Sequence, residues 1–497
     1  MLTKKQISVL LVLLACQLIF LCGFVFLRLI DYDEGSYLSA AYLVGEGKLP
    51  YLDFFYPQMP YLPYVYSLVS HSGLWSLFGG RLISAFAGLF LAVIFFRFIH
   101  KFSGDVNLSL LLFFLYAFNG LTINWHSVVK TLVFSDLFGF ISFIFFSSYL
   151  LCKGKGGNLK VLLTGFFIGL ALNFRLTFFL ILVVEGIMIF LFTPHQNPKK
   201  KSQALILLLL GALLSSPLAI YLFFKNPSAF IFGNIGYHQV WGGKAVKMFF
   251  LTKVFTVCRF LFYPQNFLIF ILAILSVTWL VQGWKKTKKL TSENKVIFTA
   301  SSIALIMIII CFFMSPTQTQ YYEQALPYLV ISSIPALGKF KAKWVNKKSV
   351  IFAVSGFYLL FLVPYILIFI FALRPKDGPY EIQEVKKVIE AVQANSKPGE
   401  VILSGWPAYA VFSERKTVPG LETWGWEIIP FLSPEQKKNF KLIDSLGVKE
   451  TILNKTVNLI VEEEWFLSSF GDLIKAHYRL AKTTKFTKIY VGKKSTD

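Results

Sequence analysis

The chain has 497 residues, 56% of them hydrophobic and only 15% charged, against about a quarter charged in a soluble protein. Apolar runs near the roughly 20 residues that a helix needs to cross a bilayer recur as far as residue 373, which excludes a lone globular domain and marks a polytopic α-helical membrane protein. The formal charge of +23 does not indicate nucleic acid, because Lys and Arg gather in short loops between apolar runs, the pattern that sets membrane orientation.

In chain order, eleven spans are expected: 7–30, 80–99, 106–123, 132–151, 159–174, 176–193, 203–224, 264–283, 296–314, 321–338 and 349–373. The first follows "MLTKK", lacks a small-residue cleavage site and reads as a retained span, not a signal peptide. With this count the basic stretches Lys4–Lys5, Arg97 to Lys101, Lys153 to Lys160, "HQNPKKK" at 195–201, "KKTKK" at 285–289 and "KFKAKWVNKK" at 339–348 share one side. The positive-inside rule makes that side the cytoplasm. The count holds only if residues 58–79, with several Pro and His71, lie as a helix or helical pair in the interface and do not cross. The outer face then carries residues 31–79, 124–131, 173–177, 225–263, 315–320 and everything after 374. Cys16, Cys22, Cys152, Cys258 and Cys311 have no ligand spacing, so neither a disulfide framework nor a cysteine zinc site is expected.

Composition changes at "ALRPKDGPYEIQEV". Residues 1–373 form the membrane part, and 374–497 read as a small extracytoplasmic α/β domain. "EIQEVKKVIEAVQAN" has helical spacing, and "SPEQKKNFKLIDSLGV" reads as one helix ending at Gly447. "GEVILSG", "VNLIVEEE" and "TKFTKIYVGKK" read as strands. "GWPAYAVF" and "PGLETWGWEI" are aromatic loops that either pack or face an acceptor.

Chemistry is sought on the outer face. In "DYDEGSY", Asp31 and Glu34 stand three apart, as in a capping box for a helix starting near residue 32. Asp53 follows in the same outer segment, Lys130 and Asp136 lie near the outer end of the fourth span, and Arg175 sits in the turn "LNFRLTF". Charges at such depth demand partners or a watery cavity. Carboxylates and cations collected there suit transfer of a sugar from a polyprenyl-phosphate carrier, since a nucleotide donor is not supplied outside the cytoplasm. A carboxylate takes the proton of the attacking hydroxyl, and cations stabilise the departing lipid phosphate. Asp33 is the expected base, Arg175 and Lys130 the first phosphate partners, and Lys244 and His238 of "GNIGYHQVWGGK" further ones. Tyr321, in "QYYEQALPY", either joins the phosphate site or anchors the interface. Asp31, Asp53 and Asp136 are auxiliary acids. "DYD" would also suit Mg²⁺ or Mn²⁺ beside a phosphate, although a monophosphate leaving group requires no ion and no cofactor is otherwise needed.

The segment "DYDEGSYLSAAYLVGEGKLPYLDFFYPQMPYLPYVYSL" resembles the first outer loop of type C fold membrane glycosyltransferases, specifically the protein O-mannosyltransferase and aminoarabinose-transferase superfamily. "GGRLISAFAGLFLAVIFFRFIHKFSG", "FFIGLALNFRLTFFLIL" and "QYYEQALPYLVISSIPAL" resemble the segments that follow in that order. The resemblance implies Asp33 as catalytic base, with Glu34 beside it in a catalytic, auxiliary or structural role. Where some relatives place a Lys before the paired prolines to hold the donor phosphate, this chain has Gln58, which raises Arg175. The expected activity is inverting transfer to a lipid, glycan or protein hydroxyl at the outer face of a bacterial cytoplasmic membrane, with the N-terminus cytoplasmic. The alternatives are a secondary transporter, a lipid-linked-sugar flippase, and a glycan polymerase or ligase. A polymerase or ligase would use the loop 225–263 with His238 and Arg259; a transporter would show repeats and midplane charges that are not visible here.

Overall fold

The computed structural model describes residues 3–152, 156–192, 198–245, 248–340, 348–371, 375–463 and 466–493. The expected boundary at 373/374 and parts of three basic loops (153–155, 195–197 and 341–347) lie outside the described residues.

Among the described residues, six continuous helices are long and apolar enough to cross a bilayer. They coincide with six expected spans: Lys4–Leu27 (α1), Trp75–Ser103, Leu132–Leu150, Gly157–Phe174, Pro264–Thr287 and Ser292–Phe313. The other five expected spans are shorter or interrupted, four of them where the sequence supplies a breaker. Pro198–Leu214 and Pro217–Lys225 form a pair bent by 71°, because Pro217 carries no N–H and its ring obstructs the preceding turn. The carbonyl of Ser215 at the bend accepts from the Tyr61 hydroxyl at 2.8 Å. The expected span 106–123 is two helices, Val106–Ala117 and Gly120–Trp125. At the break, the side chain of Asn119 caps the second helix, and its amide donates to Asn266 at 2.8 Å while Gln265 accepts from Gly120 N at 2.8 Å. A break inside apolar surroundings persists only when its backbone groups find such partners. Region 176–193 opens with a 3₁₀ turn, and regions 321–338 and 349–373 divide near Pro327, Pro335 and Pro364.

Between α1 and the next long helix lies Tyr32–Gly45 (α2), then Tyr61–Tyr66 and a 3₁₀ turn Ser67–Val69. The helical piece within 58–79 is too short to cross a bilayer at 1.5 Å per residue; the following long helix starts at Trp75, five residues earlier than expected. Gly157–Phe174 and Pro198–Leu214 run in close contact. A Cβ at Gly165 would collide with the Leu208 carbonyl, and one at Gly211 with that of Leu162.

Residues 375–493 carry a five-stranded sheet in the order β2-β1-β3-β5-β4. The strands are Val401–Ser404 (β1), Lys416–Thr417 (β2), Leu459–Glu463 (β3), Tyr478–Thr483 (β4) and Thr487–Gly492 (β5). β1 is parallel to β2 and β3, while β5 is antiparallel to β3 and β4. The three expected strands and the helix Ile382–Asn395 are found. The expected single helix over 433–448 is two, Pro434–Asn439 and Ser445–Leu453, because Lys441 turns through φ 57° and Asp444 starts a second cap onto Gly447 N. The sheet region rests on α2. A Cβ at Gly35 would lie 2.6 Å from Ala408 Cβ, so only glycine allows this approach. The Trp406 indole donates to the Tyr32 carbonyl at 2.9 Å, and residues of the outer loop and of the tail share one apolar cluster.

Candidate active site at the outer end of the bundle

α2 starts as its sequence predicts. The Asp31 side chain accepts from Asp33 N at 3.0 Å, and Glu34 reaches back to Asp31 N at 2.8 Å, closing a capping box. Glu34 has a further duty. Arg81 grips it through two bonds, Nε at 2.8 Å and Nη2 at 2.6 Å, and both side chains are fully buried. Arg81 also donates to the carbonyls of Val25, Arg28 and Leu29, the exposed carbonyl end of α1. The pair thus fastens α1, α2 and the helix Trp75–Ser103 together. Of the roles expected for Glu34, its geometry fits the structural one, and its burial removes it from any acceptor.

Asp33 stands on the other side of the same helix start, with 37% of its side chain exposed. The Lys130 ammonium lies 2.9 Å from Asp33 Oδ2 and 2.9 Å from Asp31 Oδ1. The Trp424 indole, from the tail, donates to Asp33 Oδ1 at 2.9 Å. The carboxylate is held from two directions and still faces solvent. Lys130 is buried; burial draws its pKa down, but Asp31 and Asp33 outweigh this and raise it, so it stays charged. Burial raises Asp31, and Lys130 with Arg28 more than cancels it, leaving the acid below its ordinary value.

These contacts give Lys130 a partner set of its own. It is the counter-ion of the Asp-x-Asp pair, its ammonium lying between the two carboxylates.

Arg175 and Tyr321 join the group as expected. The Arg175 guanidinium lies over the Tyr321 ring at 4.9 Å and donates to Thr131 Oγ1 at 3.2 Å, while its buried Nε has no hydrogen-bond partner among the described residues. Tyr37, on α2, is within electrostatic reach of Asp33, Lys130, Arg175 and Tyr321 together.

Four candidates fall elsewhere. Asp53 is exposed and accepts from Leu49 N at 2.7 Å, which makes it a turn residue. Asp136 is buried against His126, below the surface group. His238 is pushed down to about 4, first by burial and then by Arg175, against its bond to the Pro57 carbonyl. It is therefore neutral near pH 7 and pins its loop to Pro57 at 3.0 Å, so it supplies no charge to a phosphate. Lys244 is exposed, 6.0 Å from the Phe431 ring, and has no contact with the Asp33 group among the described residues.

Sequence reasoning did not single out Arg28, Trp125, Trp424 or Glu427. Arg28 is buried, donates to Asn124 Oδ1 at 2.9 Å and lies 4.8 Å over Trp125; Lys130 lies 4.9 Å from the same ring. Trp125 also walls a cavity of about 310 Å³ with Arg259, Tyr263, Asn266, Gln320 and Phe369. Glu427 is raised by burial and by Asp33, against backbone hydrogen bonds. Its loop was visible in the sequence only as aromatic.

The arrangement has the fold of the type C membrane glycosyltransferases. ArnT from Cupriavidus metallidurans in the apo state superposes with a TM-score of 0.67 at 12% identity, covering 97% of each chain. ArnT from the same organism bound to undecaprenyl phosphate gives 0.65 at 12% identity over 98% of each chain. The Archaeoglobus fulgidus oligosaccharyltransferase in the apo form gives 0.54 at 13% identity, covering 99% of this chain and 74% of that one. No protein-family model matches this chain, and no curated protein matches it by sequence.

Proposed function

We propose that the chain is an inverting glycosyltransferase that moves a sugar from a polyprenyl-phosphate carrier to a hydroxyl acceptor at the outer face of the cytoplasmic membrane. The observation that carries this reading is Asp33: a part-exposed carboxylate at the start of a juxtamembrane helix, fixed by Lys130 and Trp424, with Arg175 in the same electrostatic group. The shared fold and the undecaprenyl phosphate bound to ArnT support a lipid-phosphate donor.

In the reaction, Asp33 accepts the proton of the acceptor hydroxyl while that oxygen bonds to the anomeric carbon. The bond from that carbon to the phosphate oxygen breaks, and polyprenyl phosphate leaves with the electron pair. A carboxylate has about four lone-pair sites, so the two bonds to Lys130 and Trp424 leave room for the proton. Arg175, with an unpartnered Nε, is the first phosphate partner, and Arg259 in the cavity beside Trp125 is a second. One displacement inverts the anomeric centre. The tail lies outside the membrane with α2 and carries Trp424 to the base.

Membranes containing the protein are supplied with polyprenyl-phosphate sugars, and release of polyprenyl phosphate is measured. Release that depends on Asp33 is expected. Full release from Asp33→Asn, or none from the unaltered chain with any donor, overturns the reading. A transporter or flippase would move its lipid or sugar without release.

A further inference from the structure

Beneath the Asp33 group lies a second constellation that the proposed chemistry does not use. His126 follows the helix Gly120–Trp125, Asp136 is in the first turns of Leu132–Leu150, and Glu323 is in the 3₁₀ segment Thr319–Ala325. All three are essentially inaccessible, at 1%, 2% and 0% exposure, inside the main apolar core. His126 Nε2 is 3.0 Å from Glu323 Oε1 and 3.7 Å from Asp136 Oδ2. One donor atom from each residue falls within 4.8 Å of the other two.

The geometry points to a divalent transition-metal site at His126, Asp136 and Glu323, with Zn²⁺ as the ion its donors fit. Zinc accepts mixed imidazole and carboxylate ligands in tetrahedral sites at about 2.0–2.2 Å, which places donor atoms about 3.3 Å apart. The separations of 3.0 and 3.7 Å bracket that value.

The unmet valences agree. Neither oxygen of Asp136 has a hydrogen-bond partner among the described residues, and neither does Glu323 Oε2. Burying such groups without compensation is costly. At the Asp-x-Asp pair above, Lys130 answers the charge. Here no Lys or Arg forms an ion pair with Asp136 or Glu323 among the described residues. Two carboxylates, a neutral imidazole and a divalent ion sum to zero, as an apolar core requires.

The ligands also have partners of their own. Thr122 Oγ1 donates to Glu323 Oε1 at 3.4 Å. The Tyr116 ring stands edge-on to His126, and its buried hydroxyl has no partner among the described residues; a water would complete a tetrahedral set. Gly88 makes space for the imidazole: a Cβ there would lie 2.9 Å from His126 Nδ1. The ion would tie the Lys130 segment to the Tyr321 segment, fixing both beside Asp33.

The test is elemental analysis of the full chain, purified in detergent without chelator and dialysed against ZnCl₂. Roughly one equivalent of zinc per chain is expected, falling to less than about a tenth in Asp136→Asn and Glu323→Gln. Chelation should lower the melting temperature of the unaltered chain. Should the variants fail to fold, Co²⁺ loading of the unaltered chain decides: visible d–d bands of a tetrahedral site, displaced by excess Zn²⁺, support the site. Absence of stoichiometric metal and of those bands overturns it and leaves three groups sharing protons. Metal content is independent of transfer activity, so it separates this inference from the proposed function.

Discussion

The two sides of the start of α2 hold neighbouring carboxylates in opposite surroundings. Glu34 is sealed against Arg81, which also caps the end of α1, and no atom of the pair reaches solvent. Asp33 is one residue earlier, part exposed, and bonded to a lysine and to a tryptophan more than three hundred residues away in the chain. A buried ion pair joined by several hydrogen bonds fixes geometry, whereas an exposed carboxylate keeps lone pairs for a substrate. One helix start thus supplies a sealed frame residue and, at the adjacent position, an open carboxylate, the group proposed to react.

The comparison can be broken from either side. Asp33→Asn should lower polyprenyl-phosphate release by about 10²–10⁴-fold while the melting temperature stays close to that of the unaltered chain, the size expected for loss of a general base. An equal fall in stability would make Asp33 another frame residue. Arg81→Ala should do the reverse and destabilise the chain by about 3–5 kcal/mol, because it leaves Glu34 buried and unpaired; thermal unfolding in detergent measures this. Trp424→Phe removes one hydrogen bond to Asp33 and keeps the ring, so kcat should fall by about 3–10-fold, in line with about 1 kcal/mol for one such bond. A change confined to KM would place Trp424 with the acceptor, not the base.

A pH-dependent effect is expected in the tail, where Glu463 accepts from Ser404 Oγ, Gly405 N and Trp406 N. Burial pushes its pKa up to about 7 from 4.5. The folded tail therefore favours the protonated acid. Its contribution to stability is complete below about pH 4.5 and is lost as pH rises through about 7. Glu463→Gln should flatten that part of the stability profile, read as melting temperature between pH 5 and 8 by the same linkage. An unchanged slope would mean that another group titrates there.

Much of this was legible in the sequence, because the underlying physics is local. Long apolar runs dictate spans, and six of those expected are continuous helices. The Asp31–Glu34 spacing dictates a capping box, and the structure has it. Charges expected at the ends of spans do cluster: Asp31, Asp33, Lys130, Arg175 and Tyr321 come together.

Which charge answers which is a matter of distance across the fold, and the tertiary structure alone decided it. Lys130 became a counter-ion because its chain segment passes within 2.9 Å of two acids. His238 lost its charge through burial, and Asp136 turned inward to His126 and Glu323, 187 positions further along the chain (323 − 136). Trp424 reached Asp33 only because Gly35 lets the tail lie on α2. Periodicity and capping depend on neighbours a few residues apart, which a sequence displays directly; ion pairing and burial depend on separations in space, which it does not.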